Sequence, residues 1–275
     1  MLRLIQHAGQ SAFLAVEKLF NRAFGEASNP FYYLGAISYY LLWIVVASGL
    51  YLYAFFSTGV SEAHSSVEAI THDQRWVGGI LRSLHRYASD GMILTMLLHV
   101  VRHFVFDHYR AFRWFSWVTG VVLLWLVYMS GVNGYMLPWD RLAQFVVVAT
   151  AEWLDWLPIF NGTLVRNFIT PGAVNDRLFS LLSFIHIGFP LAVLAILWIH
   201  TQRVPGAKTN PPRSIAIPFT IALVVLSIVS LVLGDDAPRR IISTYKEQIP
   251  EAYQQALTDL LTLLGAASGQ ASAAK

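Results

Sequence analysis

The sequence predicts an all-α membrane protein: a four-helix transmembrane bundle, a fifth transmembrane helix after it, and amphipathic helices at the membrane interface. Three observations carry this. Of the 275 residues, 56% are hydrophobic and 13% charged. Several uncharged apolar runs exceed the roughly eighteen residues that mark a helical span. Two helix-length stretches each hold a pair of histidines fourteen residues apart, His85 with His99 and His186 with His200.

Four segments follow in order. Residues 1–30 hold Phe13-Leu-Ala-Val-Glu-Lys-Leu-Phe20 with Lys18 and Arg22, a stretch too short and too charged to span. It is expected to lie as an interfacial helix on the membrane surface. Residues 31–203 form the four-helix domain, with spans at about 31–56, the His85/His99 helix ending near Phe106, about 114–136, and the His186/His200 helix. The long connection from Leu137 to Asp176 contains Pro138-Trp139-Asp140, Trp153-Leu-Asp-Trp-Leu-Pro158 and Pro171-Gly172, the composition of short interfacial helices and breaks. Residues 204–234 are a Pro-rich loop and a fifth span, 214–234. Residues 235–275 are an amphipathic tail in which 249–264 could form a surface helix. The absence of cysteine excludes disulfides, thiolate-held iron–sulfur clusters and thioether-attached haem within this chain.

The histidine interval carries the chemistry. Fourteen residues turn a helix through roughly 1400° and raise it about 21 Å, so each pair shares one face at two membrane depths. With the two helices set antiparallel and matched depth for depth, His85 faces His186 and His99 faces His200. A single intramembrane histidine is most often a satisfied bundle residue, but two matched pairs are hard to obtain by accident. Zinc would need four ligands converging on one point, which about 21 Å of rise forbids. Two stacked bis-histidine haem sites are therefore expected. Gly35 and Gly49, and Gly120 and Gly134, repeat the same interval on the first and third spans. Glycine in a membrane helix usually means close helix packing. Here its match to the histidine interval suggests room for the faces and edges of a flat macrocycle.

Lys and Arg number nine on the side of residues 1–30 and of the loops after the second and fourth spans, and five on the other side. The positive-inside rule places the N-terminus in the cytoplasm and the tail outside, with His85 and His186 toward the outer face. Arg82 stands three residues before His85 and Arg102 three after His99, one turn away in each case. Each is expected to meet a haem propionate at the edge of its site. Asp90 is the carboxylate well inside a span, and Arg86, four residues away, is placed to neutralise it.

Together Arg82-Ser-Leu-His85-Arg86, His99-Val-Val-Arg102, Trp117-Val-Thr-Gly120, Gly134-Tyr-Met-Leu-Pro-Trp139-Asp140 and His186-Ile-Gly-Phe-Pro190 with His200 resemble the cytochrome b/b6 family over about residues 30–203. The resemblance implies four packed helices around a low-potential and a high-potential b haem, with quinone chemistry at one or both faces. Departures are also visible. Tyr33 replaces the cysteine that attaches a third haem in the b6 branch. Leu181 replaces an arginine, with Arg177 about one turn earlier. Pro205 stands where mitochondrial-type members have a histidine, and the Pro-Glu-Trp-Tyr motif of quinol oxidation is missing. Pro250-Glu251-Ala-Tyr253 is a distant echo of that motif, followed by polar Gln254-Gln255.

The expected function is electron transfer across a bacterial cytoplasmic membrane by two b-type haems, between quinone or quinol and partner redox subunits. Expected partners are membrane lipid, a Rieske or other iron–sulfur protein, a c-type cytochrome and a separate chain like subunit IV, and no nucleic acid. A haem-bearing anchor without a quinone site of its own is the alternative. A proton-coupled transporter is a third, for which inward acidic groups are scarce.

Overall fold

The computed structural model describes residues 1–164, 174–204 and 206–233. Arg166, Pro171, Gly172, Pro205, Glu251 and the surface helix expected at 249–264 lie outside the described residues. Within them the order is α1 (Leu2–Phe24), α2 (Leu34–Phe55), α3 (Ala63–His72), α4 (Ile80–Val105), α5 (Trp114–Met136), α6 (Arg141–Asp155), α7 (Asp176–Gln202) and α8 (Arg213–Leu233). The fold is all-helical. Helices α2, α5 with the turn before it, α7 and α8 are each long and apolar enough to cross a membrane. Helix α4, 26 residues long, has the length, but Arg82, Arg86, Asp90 and Arg102 interrupt its apolar face. It packs along α2, α8 and α5, so its polar positions have protein neighbours as well as lipid.

The bundle is two packed pairs, α2 with α4 and α5 with α7, which make the most extensive contacts. Ile37, Leu41 and Leu42 meet Ala88 and Met92 across the first pair, and Leu123, Val127 and Val193 join them from the second. Ala88 is fully buried, and a side chain that small lets α2 and α4 approach closely. Lipid tails are as apolar as leucine, so polar cross-links add specificity. Ser38 Oγ donates to Thr95 Oγ1 at 2.9 Å, and the Tyr40 and Thr220 hydroxyls meet at 2.6 Å.

Two expectations need correction here. Helices α4 and α7 run parallel, not antiparallel. One span, α5, separates them, so the chain re-enters in the same direction. An antiparallel setting would bring His85 beside His200, whereas the His85 and His186 rings are neighbours. The expected direction is therefore corrected.

Helix α1 is also longer and less peripheral than a short surface stretch. It runs for 23 residues, and its buried residues are Gln6 and Glu17, both polar. The last carbonyls of any helix lack intrahelical donors. At the end of α4 they are met by α1: Gln6 Nε2 donates to the Phe104 carbonyl at 3.1 Å and Gln10 Nε2 to that of Val105 at 2.7 Å. Leu2, Leu4, Leu14 and Leu19 stay exposed, as an interfacial helix requires. Asn29, wholly buried, then fixes the entry into α2. It donates to the Glu17 carbonyl (3.0 Å) and Asn21 Oδ1 (2.7 Å) and accepts from Phe31 N (3.0 Å).

At the opposite end, Asp140 caps α6 by accepting from Ala143 N at 2.7 Å. Trp139 sets its ring edge-on to the buried Phe179 of α7, centroids 5.0 Å apart. Trp153 and Trp156 remain exposed at the end of α6, as a membrane-interface belt would have them.

Candidate functional site

The four histidines project from α4 and α7 into the space between the two helix pairs. His85 and His186 face each other with ring centroids 6.2 Å apart and planes at 65°. His85 Nδ1 lies 3.0 Å from the Val45 carbonyl of α2 and 3.1 Å from Ser48 Oγ. His186 Nδ1 lies 2.9 Å from the Ser130 carbonyl of α5. A carbonyl only accepts, so in both rings Nδ1 carries the proton and Nε2 is left with the lone pair. His200 Nδ1 lies 2.9 Å from Thr119 Oγ1. His99, within electrostatic reach of His200, has the His103 ring edge-on at 4.4 Å.

Pro190 explains a further restraint. It lacks the N–H that would bond to the carbonyl four residues back, which is that of His186. Ser130 Oγ donates to that freed carbonyl at 3.4 Å while the Ser130 carbonyl takes His186 Nδ1. His186 and Ser130 therefore hold each other.

Each glycine of the fourteen-residue interval lies against one histidine ring. A Cβ at Gly134 would meet His186 Cε1 at 2.6 Å, at Gly49 His85 Cε1 at 3.0 Å, at Gly35 His99 Cε1 at 3.0 Å, and at Gly120 His200 Cε1 at 3.4 Å. The space they leave is filled first by imidazole. The bonded carbonyls of Val45 and Ser130 lie four residues before Gly49 and Gly134. A glycine and the carbonyl one turn before it thus form one seat for a histidine.

The arginines divide. Arg82 donates from Nη1 to Thr71 Oγ1 at 2.9 Å. Arg102 Nε pairs with Glu17 Oε1 at 2.7 Å, and its guanidinium lies over Phe106 and Tyr32. Sequence reasoning missed Glu17, which stands 85 residues away on a helix assigned to the surface. The pairing of Asp90 with Arg86 is not formed. Among the described residues the ion pairs are His72–Glu68, Arg102–Glu17 and Arg110–Asp107, and the contact at Asp90 is the Tyr135 hydroxyl at 3.4 Å. Both Asp90 and Arg86 are exposed. Beyond the end of α4, burial and the charges of Arg113 and Arg102 hold His108 below the ordinary histidine range. Trp117 Nε1 is buried with no partner among the described residues. Lys208 Nζ sits 4.3 Å over the ring of Tyr33.

The residues fit haem. Two imidazoles bound on opposite sides of one metal, each by a bond of about 2.0 Å, hold their centroids roughly 6.3 Å apart. His85 and His186 match at 6.2 Å. Among the described residues no three His, Asp or Glu side chains gather as a metal-binding group.

Comparison with known proteins agrees. The family model described as Cytochrome b/b6/petB matches residues 21–204, well over half of the chain. The cytochrome b6 of Gracilaria tenuistipitata var. liui is 33% identical over 176 residues, covering 62% of this chain and 80% of that protein. The cytochrome b6 of Porphyra purpurea is 34% identical over the same shares. Among solved structures, a chain of a "Hyperthermophilic respiratory Complex III" superposes with a TM-score of 0.60 at 17% identity, over 74% of this chain. This chain spans 61% of that one, so the likeness supports the fold alone. The protein belongs to the cytochrome b/b6 family, multi-pass membrane cytochromes that transfer electrons through b-type haem.

Proposed function

We propose that the chain is a di-haem b cytochrome subunit that passes electrons across the membrane between quinone or quinol and partner redox subunits. His85 and His186 hold the outer haem, His99 and His200 the inner. The 6.2 Å approach of the His85 and His186 rings carries this reading. Bound there, haem iron supplies one-electron exchange between its ferric and ferrous states. The chain's own part is to orient the ligands. Carbonyls of Val45 and Ser130 fix the imidazole tautomers of His85 and His186, a hydrogen bond that also raises ligand basicity. Arg82, which donates to the neutral Thr71 hydroxyl, offers its charge to a propionate at the outer edge. Trp117 Nε1, without a partner among the described residues, and the guanidinium of Arg102 offer donors at the inner one.

The quinone, an iron–sulfur protein, a c-type cytochrome and a subunit IV-like chain are the proposed partners in a bacterial cytoplasmic membrane. Two b haems per purified chain in a reduced-minus-oxidised spectrum are expected, with quinol reduction of them blocked by a quinone-site inhibitor. A single haem would sink the di-haem reading. Two haems that no quinol reduces would favour the anchor without a quinone site.

The N-terminus and the loop holding Ala207 are assigned to the cytoplasm, and the loop after α2 to the outside. In intact cells a membrane-impermeant thiol reagent should label Ser61→Cys, an exposed position, and spare Ala207→Cys, also exposed. The opposite pattern reverses the orientation.

A further inference from the structure

We infer that Glu17 is a positioning residue of the inner site. Through its ion pair with Arg102, helix α1 sets the charge felt by the inner haem. The inference rests on the haem reading above.

Glu17 is 4% exposed, on a helix whose other role, lying at a membrane surface, calls for no buried carboxylate. A buried carboxylate is costly unless it is paired. Its partner is Arg102 Nε at 2.7 Å, with side-chain exposures of 6% and 22%. Arg102 lies one helical turn beyond His99, on the same side of α4. Its guanidinium is held further by Phe106, 5.0 Å from the ring centroid, and by Tyr32 at 5.8 Å.

The register of α1 that brings Glu17 to this point is over-determined. Gln6 and Gln10 bind the Phe104 and Val105 carbonyls, and the buried Asn29 donates to the carbonyl of Glu17 itself. Gly9 comes so close to Val105 that a Cβ there would overlap its side chain. Four contacts along the helix thus fix one carboxylate against one arginine.

The consequence is electrostatic. Reducing a haem adds one negative charge, which a fixed cation nearby favours. Glu17 opposes the field of Arg102 at the site, and charges in a low-dielectric interior are weakly screened. Removing Glu17 leaves Arg102 uncompensated. Removing Arg102 leaves the carboxylate uncompensated. The two changes must move the inner haem in opposite directions.

An optical redox titration of the purified di-haem protein, with the two haems resolved, tests this. Glu17→Gln should raise the midpoint potential of the inner haem and leave the outer one in place. Arg102→Gln should lower it, the double variant should return toward the native value, and Glu17→Asp should stay near it. A purely structural role for α1 would shift both haems together or neither. Both haems retained in Glu17→Gln, with the inner potential unchanged or lowered, overturns the inference. Where Glu17→Gln does not hold the inner haem, the double variant decides, since it buries no lone charge. An inner haem retained near the native potential supports the inference, and an inner haem lost again overturns it. Fewer than two haems in the native protein would instead overturn the function proposed above.

Discussion

Leucine in place of His85 is expected to remove one of the two haems, and leucine in place of His186 to remove the same one. The other haem should remain in both variants, with its spectrum unchanged. The two ring centroids stand 6.2 Å apart, and each ring is held by a carbonyl of a different neighbouring helix. Losing either would leave a single imidazole to hold a group that the proposed site binds with two. His99→Leu and His200→Leu should likewise remove a single, second haem. Haem counted per chain, together with the reduced spectrum of each variant, makes the check. Spectroscopically different losses from His85→Leu and His186→Leu would show that the pairing is wrong.

The second large effect is graded by geometry. Alanine at Gly134 puts its methyl 2.6 Å from His186 Cε1, a separation real side chains do not tolerate. His186 is locked on both sides by Ser130, so the ring cannot retreat without losing a hydrogen bond. Overpacking of this kind costs about 1–3 kcal/mol. Gly134→Ala should therefore release the outer haem most readily on heating. Gly49→Ala and Gly35→Ala, at 3.0 Å, should be intermediate, and Gly120→Ala, at 3.4 Å, close to native. Thermal haem loss in detergent ranks the four. Equal damage from Gly120→Ala and Gly134→Ala would refute the seat formed by glycine and carbonyl.

Much of this was legible in the sequence because it rests on local period. The third span is expected at Trp114–Met136 and is found there, and the histidine and glycine intervals fall on the faces that helix geometry assigns them. Three features were not legible from period. The parallel course of α4 and α7 depends on counting the spans between them, which the histidine spacing does not encode. Helix α1 was read by its apolar residues, but the face it turns to the bundle is the polar one, carrying Gln6 and Glu17. Arg86 and Asp90 have the spacing of a helical ion pair, yet Asp90 meets Tyr135 of α5 instead. A contact between different helices overrides local spacing, and one sequence carries no signal for it.

The pairing of ligands across the two halves also imposes an order in time. Helices α2 and α4 can pack on each other as soon as both have left the ribosome, and they carry His85 and His99. Their partners on α7 follow about 100 residues later. At roughly 5–20 residues per second this is an interval of about 5–20 s. During it, the first hairpin stands in the membrane with two imidazoles already seated against Gly49 and Gly35 but with no opposite ligands. Cofactor delivered then would be held by one bond, open to loss and to stray reaction with oxygen. On the proposed di-haem function, both sites would therefore close late and together, when α7 arrives and docks on α5.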